Sequence, residues 1–225
     1  MKLLNENLLS FQDERLRRVD ALDKFDKRAL KDWRKLISKI KKKDQKKKIK
    51  VAFNFAKKLK YNHGNSDLYF SHPLRVTNMV LMHKKKVDTD LIILALNHNI
   101  LEVTKLTKKK LCNLFDIDFY KKTSILTVNR KLQWNRNYKK NYYKKINDCS
   151  YDVKIVKILD KLDNLFIIGL NPNKKIRIKY IDEIKEYILP MVKKNIPQIY
   201  NYYKLLIKDS YQKGYYNKKT IRKIN

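Results

Sequence analysis

Apolar residues recur along this chain at three- and four-residue steps, the period of helices with one buried face. Between Leu16 and Ile40 the stripe Leu16, Val19, Leu22, Phe25, Leu30, Trp33, Leu36, Ile37 and Ile40 predicts an amphipathic helix or a broken pair. Val51, Ala52, Phe55, Ala56 and Leu59 continue the pattern beyond a lysine-rich block. Tyr61–Asp67 (YNHGNSD) reads as a turn. His72-Pro73 is then expected to open a helix, since proline lacks an N–H and is tolerated in a first turn.

Thr89 or Asp90 can cap a helix from Leu91 to about Glu102, whose centre is apolar on nearly every side. Thr107 opens a short helix, and Asp116 or Asp118 the next, towards Val128. Asn129–Asn147 is polar and tyrosine-rich, without a clear period. Val153–Leu170, Ile176–Val192 and Ile196–Ile207 read as helices, and Gly214–Asn225 as a frayed basic tail. Three glycines and four prolines in 225 residues argue against a β-rich or glycine-looped chain. The fold expected is all-α.

Composition narrows the classes. With 43% apolar residues the chain can bury a core. The longest run free of charged residues is 11 residues, Leu91–Leu101, against the roughly 20 that span a bilayer. The opening MKLLNENLLSFQDE carries early acids and no small-residue cleavage site, so no signal peptide is expected. Cys112 and Cys149 offer neither a disulfide framework nor a Cys-x-x-Cys pair, which fits a reducing cytoplasm. Fifty-five Lys and Arg against 22 Asp and Glu give a formal net charge of +33, which invites a nucleic-acid reading. Lys, Asn, Ile and Tyr are enriched together, however, as an A/T-rich coding sequence would make them, and lysine occurs in almost every segment. Charge alone does not decide function.

Three motifs stand out from the helical background: YFSHPLRV around His72, ALNHNILEVT around His98, and VKILDKLDNL around Asp160. Each puts a potential metal ligand in a segment that otherwise reads as core. A carboxylate such as Asp160 on an apolar helix needs a partner, and a cation would supply one. His98 and Glu102 are four apart, as are Asp160 and Asn164, so each pair is expected on one face of a helix.

In this order the motifs resemble the HD-domain phosphohydrolase superfamily, in particular the RelA/SpoT-type hydrolase domain and its small stand-alone members. The resemblance covers about Val51 to Lys194. It implies a helical HD-domain bundle over 49–195, with a basic helical extension over 1–48 and a C-terminal helix and basic tail over 196–225. It also implies a divalent ion, usually manganese, held by His72, His98, Asn99 and Asp160. Glu102 would orient or deprotonate the attacking water, and His63, Lys161 and Asn164 would lie on the substrate side. The activity implied is removal of the 3′-diphosphate of guanosine tetra- or pentaphosphate, which makes a guanosine polyphosphate the expected partner.

Departures from the pattern fall on the chemistry. Asn99 stands where the family has the Asp of its His-Asp pair, Val103 where an acid follows the Glu, and Leu159 where an alanine precedes the Asp. Two readings follow: a weakened hydrolase with Asn99 as a neutral ligand, or a degenerate relative that binds nucleotide, nucleic acid or protein through its basic surface.

Overall fold

The computed structural model of the chain describes residues 11–59, 66–83 and 88–222. The stripe expected between Leu16 and Ile40 is a broken pair: α1 spans Phe11–Asp20, and α2 spans Lys27–Ser38. Arg17 Nε donates to both oxygens of Asp26, at 3.0 and 3.3 Å, across the turn between them. Then follow α3 (Lys43–Lys58), α4 (Ser66–His83), α5 (Thr89–Leu96), α6 (Ile100–Val103), α7 (Lys108–Leu114), α8 (Ile117–Leu126), α9 (Arg136–Asp148) and α10 (Tyr151–Leu165). After a 3-10 turn at Ile168–Leu170 come α11 (Lys174–Glu183), α12 (Leu189–Asn195), α13 (Tyr200–Lys213) and α14 (Lys218–Arg222). Among the described residues there are no strands. The fold is all-α, as expected.

By packing the chain forms two compact units, one of residues 27–157 and one of residues 1–26 with 158–225. The boundaries at 48/49 and 195/196 expected from sequence resemblance are a different kind of partition. In the first unit α4 packs on α2 and α5, and α3 packs on α5. Phe70, Leu74, Val76, Leu91, Leu94 and Ala95 are fully buried there. Burial of each larger apolar side chain contributes about 1.5–3 kcal/mol. Trp33 stacks on Phe53 at 4.9 Å, and Phe53 meets Phe70 edge-on at 5.3 Å. Asn78 Nδ2 donates to the Ala29 carbonyl at 2.8 Å, tying α4 to α2.

Helix starts are set by side-chain caps. Thr107 and Asp116 cap α7 and α8 as expected, accepting from Lys110 N and Phe119 N. The cap of α5 is Asp88 rather than Thr89 or Asp90, because its Oδ1 is the oxygen placed to accept from Leu91 N, at 3.1 Å. Asn135 caps α9, which gives the period-poor segment a helix after all. His72-Pro73 does not open its helix: α4 begins at Ser66. Pro73 therefore sits in the interior, where it cannot donate to the Tyr69 carbonyl. Of the turn expected at Tyr61–Asp67, residues 61–65, His63 included, lie outside the described residues.

In the second unit the helix expected over Ile176–Val192 is interrupted by a π-helical turn at Ile184–Ile188. The wider turn precedes Pro190, which has no N–H to continue an α-helical ladder. Two buried arginines of α1 organise the unit. Arg18 Nε donates to Asp163 at 2.7 Å, its Nη1 donates to the Glu14 side chain and carbonyl, and its guanidinium lies 4.1 Å over the Phe166 ring. Arg15 donates to the Phe166 carbonyl and pairs with Asp209.

The expected frayed tail is ordered packing up to Arg222. Tyr216 and Ile221 are buried with Val19, and the Tyr216 hydroxyl donates to the Phe166 carbonyl at 2.6 Å. Burial pushes the Tyr216 phenol up to about 12, so it keeps that donor proton through the neutral range. Gly169 permits this approach, since a Cβ there would fall 2.2 Å from the Tyr216 ring. Gly214 makes the turn into the segment at φ 64°, a conformation that favours glycine.

Candidate functional site

His72 and His98 come together in the unit of residues 27–157. His72 stands one residue before Pro73 in α4 and is half-buried, whereas His98 is 4% exposed. Their ring centroids are 5.2 Å apart at an interplanar angle of 70°. His98 Nδ1 lies 2.8 Å from the Ala95 carbonyl. A carbonyl only accepts, so Nδ1 carries a proton, and in the neutral ring Nε2 holds the lone pair. That is the tautomer a metal-binding imidazole needs, with its other nitrogen fixed by a backbone acceptor.

The local backbone differs from the continuous helix expected over Leu91–Glu102. α5 ends at Leu96, residues 97–99 form a turn, and α6 starts at Ile100. Asn97 takes φ −125°, ψ 15°, and its Nδ2 donates to the Ile93 carbonyl at 3.0 Å. Asparagine side chains compete with the backbone for hydrogen bonds, and Asn-His-Asn puts two of them around His98. His98 and Glu102 therefore do not share one helix face: His98 is in the turn and Glu102 on the short helix.

Asn99 Nδ2 donates to the Tyr69 hydroxyl at 2.6 Å. The Glu102 carboxylate is held on both oxygens. Oε1 accepts from Val128 N at 2.8 Å, and Oε2 accepts from Arg130 Nη2 at 2.7 Å. Glu102 thus anchors the loop after α8. Arg130 escaped the sequence reading because it lies in a polar segment without period, and no local spacing links it to Glu102.

In the unit of residues 1–26 and 158–225, Asp160 is 8% exposed and accepts from Asn164 Nδ2 at 2.8 Å. This four-residue pair lies on α10 as the sequence predicts. Lys161 donates to Glu183 at 2.7 Å and lies 4.5 Å over the Tyr180 ring. Leu159 is buried beside Asp160. The Tyr203 hydroxyl donates to the Ile158 carbonyl at 3.2 Å; burial, and then the charge of Asp160, raise that phenol well above its ordinary value. The ion pair of Arg18 and Asp163 also had no sequence signal, because its partners are 145 residues apart.

No protein-family model matches the sequence, and no curated protein matches it. Among solved structures, the chain is similar to a metazoan orthologue of SpoT that hydrolyses ppGpp and plays a role in starvation responses. The TM-score is 0.56 at 17% identity, and the match covers 77% of this chain and 97% of that one. No helix among the described residues is long and apolar enough to cross a membrane. The chain shares the all-α fold of that solved structure.

Proposed function

We propose that this chain is a metal-dependent HD-type phosphohydrolase that removes the 3′-diphosphate of a guanosine polyphosphate. The observation that carries the reading is the His98 imidazole, oriented through Nδ1 by the Ala95 carbonyl and set with its ring against that of His72. Support comes from the fold, shared with a ppGpp hydrolase, and from the order of the three motifs in the sequence. In this account His72, His98 and Asp160 bind the ion, with Asn99 as a neutral fourth ligand. Two imidazoles with one carboxylate suit manganese, iron or zinc. A divalent ion held there would polarise the phosphoryl group and offset its charge.

The remaining roles belong to the chain's own side chains. Asn164 steadies one oxygen of Asp160 and faces the nucleotide, with His63 assigned to the same side. Lys161 stays with Glu183 and supports the helix that carries both residues. Glu102, aligned by Val128 N–H and Arg130, orients the attacking water. Tyr69 positions Asn99, whose missing charge weakens ion binding and slows turnover relative to an aspartate at that position.

A second reading is favoured by the same substitution together with Val103: a non-catalytic relative that keeps the fold. Incubation with ppGpp and Mn²⁺ separates the two. The hydrolase reading expects pyrophosphate release that is lost in Asp160→Ala. Absence of release at saturating Mn²⁺ contradicts it and leaves the non-catalytic reading.

A further inference from the structure

The net charge is not spread evenly. Residues 27–58, which form α2, the turn at 39–42 and α3, carry fifteen Lys and Arg against two Asp. The other 193 residues carry 40 such cations and 20 carboxylates. A compositional bias towards lysine raises the cations everywhere, but it does not make them more than twice as dense in one helical pair as in the rest of the chain.

The cations are also arranged. All but Lys46 are exposed, while Ala29, Trp33, Ile37, Ile49, Ala52 and Ala56 turn inwards. Lys27, Lys31 and Lys35 follow one another at four-residue steps on α2, and Lys43 with Lys47 repeats the step on α3. Like charges at that spacing oppose helix formation. Asp32 and Asp44 can offset at most two of them from within the hairpin. A partner that supplies anions along the surface would relieve the repulsion.

We infer that the outward face of residues 27–58 binds the phosphate backbone of a nucleic-acid duplex. A duplex fits because the face offers charge without stacking groups: Trp33 is 5% exposed and stacked on Phe53. Single-strand binding would call for exposed aromatic platforms. An anionic membrane fits less well, because the apolar sides of both helices are packed inwards. Val51 is the one large apolar side chain of the hairpin among the strongly exposed ones, and it lines a cleft shared with α5, α7 and α8. Binding of this kind is independent of sequence and releases counterions, so affinity falls with salt by about 0.9 log units per log unit for each phosphate contacted on B-DNA.

The test uses the full-length chain and 20-bp RNA and DNA duplexes of arbitrary sequence, titrated by fluorescence anisotropy between about 50 and 200 mM KCl. One variant replaces Lys27, Lys31, Lys35, Lys43, Lys47 and Lys50 by Gln. A second replaces Lys174, Lys175, Lys193, Lys194, Lys204 and Lys208, which are equally exposed and change the net charge equally. The hairpin variant is expected to bind at least 100-fold more weakly at about 100 mM salt, with a salt slope flatter by about 3–5. The second variant should keep a slope within about 1 of the parent. A Lys-to-Arg version of the hairpin variant should bind like the parent, which separates charge from folding. Equal losses in the two Gln variants would overturn the assignment. So would failure of the parent chain to bind at about 150 mM salt, or binding to phosphatidylserine vesicles that matches the duplex in affinity and hairpin dependence.

Discussion

His98 Nδ1 lies 2.8 Å from the carbonyl oxygen of Ala95, three residues earlier, and this contact decides which ring nitrogen keeps its lone pair. Truncation of the buried ring in His98→Ala removes its hydrogen bond to Ala95 and its packing on His72 and leaves a cavity, a cost of about 2–4 kcal/mol in a turn also held by Asn97. The variant is expected to remain folded with a lowered melting temperature, and to lose at least about 100-fold in Mn²⁺ affinity. Paired thermal melts and metal titrations check this. Unchanged affinity would remove His98 from the ligand set.

Asn99→Asp is isosteric, and its local partner can adapt. The Tyr69 hydroxyl accepts from Asn99 Nδ2 in the present chain and can rotate to donate to a carboxylate. The substitution adds one negative charge to the proposed site. Mn²⁺ affinity should rise by about 10- to 100-fold, and pyrophosphate release from ppGpp should rise with it. A stable Asn99→Asp variant with no gain in either would show that the missing charge is not what limits the site.

Asp163 is 1% exposed and receives Arg18 Nε, itself on a residue 4% exposed. Asp163→Ala leaves a buried guanidinium with only part of its compensation, so a loss of about 3–5 kcal/mol is expected. Urea unfolding with an unchanged m-value checks it. The pair sits one turn beyond Asp160 on α10, so the same variant tests how far Asp160 depends on the anchoring of α1.

Acid should release the C-terminal helix. Hydrogen bonds from Lys218 and then Arg222 lower the Asp23 carboxyl below its ordinary 3.8. Its contribution is therefore fully present above pH 3.8 and is lost as pH falls through the depressed value. Amide exchange in residues 218–222 should accelerate, relative to the chemical exchange rate, as pH falls below about 3.8. Asp23→Asn should already show the faster exchange at pH 7. Protection equal to that of the parent at pH 7 would contradict this account of the clasp.

Much of the fold was legible because helices advertise themselves by local period. The three motifs were legible for the same reason, since each lies within a stretch of about ten residues. The break at 97–99 was not, because ILALNHNIL stays apolar on both sides of the turn and the period runs through it. The start of α4 at Ser66 was hidden by Pro73, whose ordinary place in a first turn suggested a boundary seven residues too late. The C-terminal segment looked frayed because its cations were visible and their partners Asp20 and Asp23, some 200 residues earlier, were not. Long-range pairs such as Arg18 with Asp163, or Glu102 with Arg130, carry no local signature. The concentration of charge in residues 27–58 was in the sequence throughout, as a density of Lys and Arg more than twice that of the remaining chain.

The central claim is that His72, His98 and Asp160 form a divalent-ion site. Titration of the purified, chelator-treated chain with Mn²⁺, followed by calorimetry or electron paramagnetic resonance, tests it most directly. The account predicts one ion per chain and its loss in Asp160→Ala, with the helical circular dichroism retained. No saturable Mn²⁺ binding at neutral pH, or binding that survives in Asp160→Ala, would contradict it.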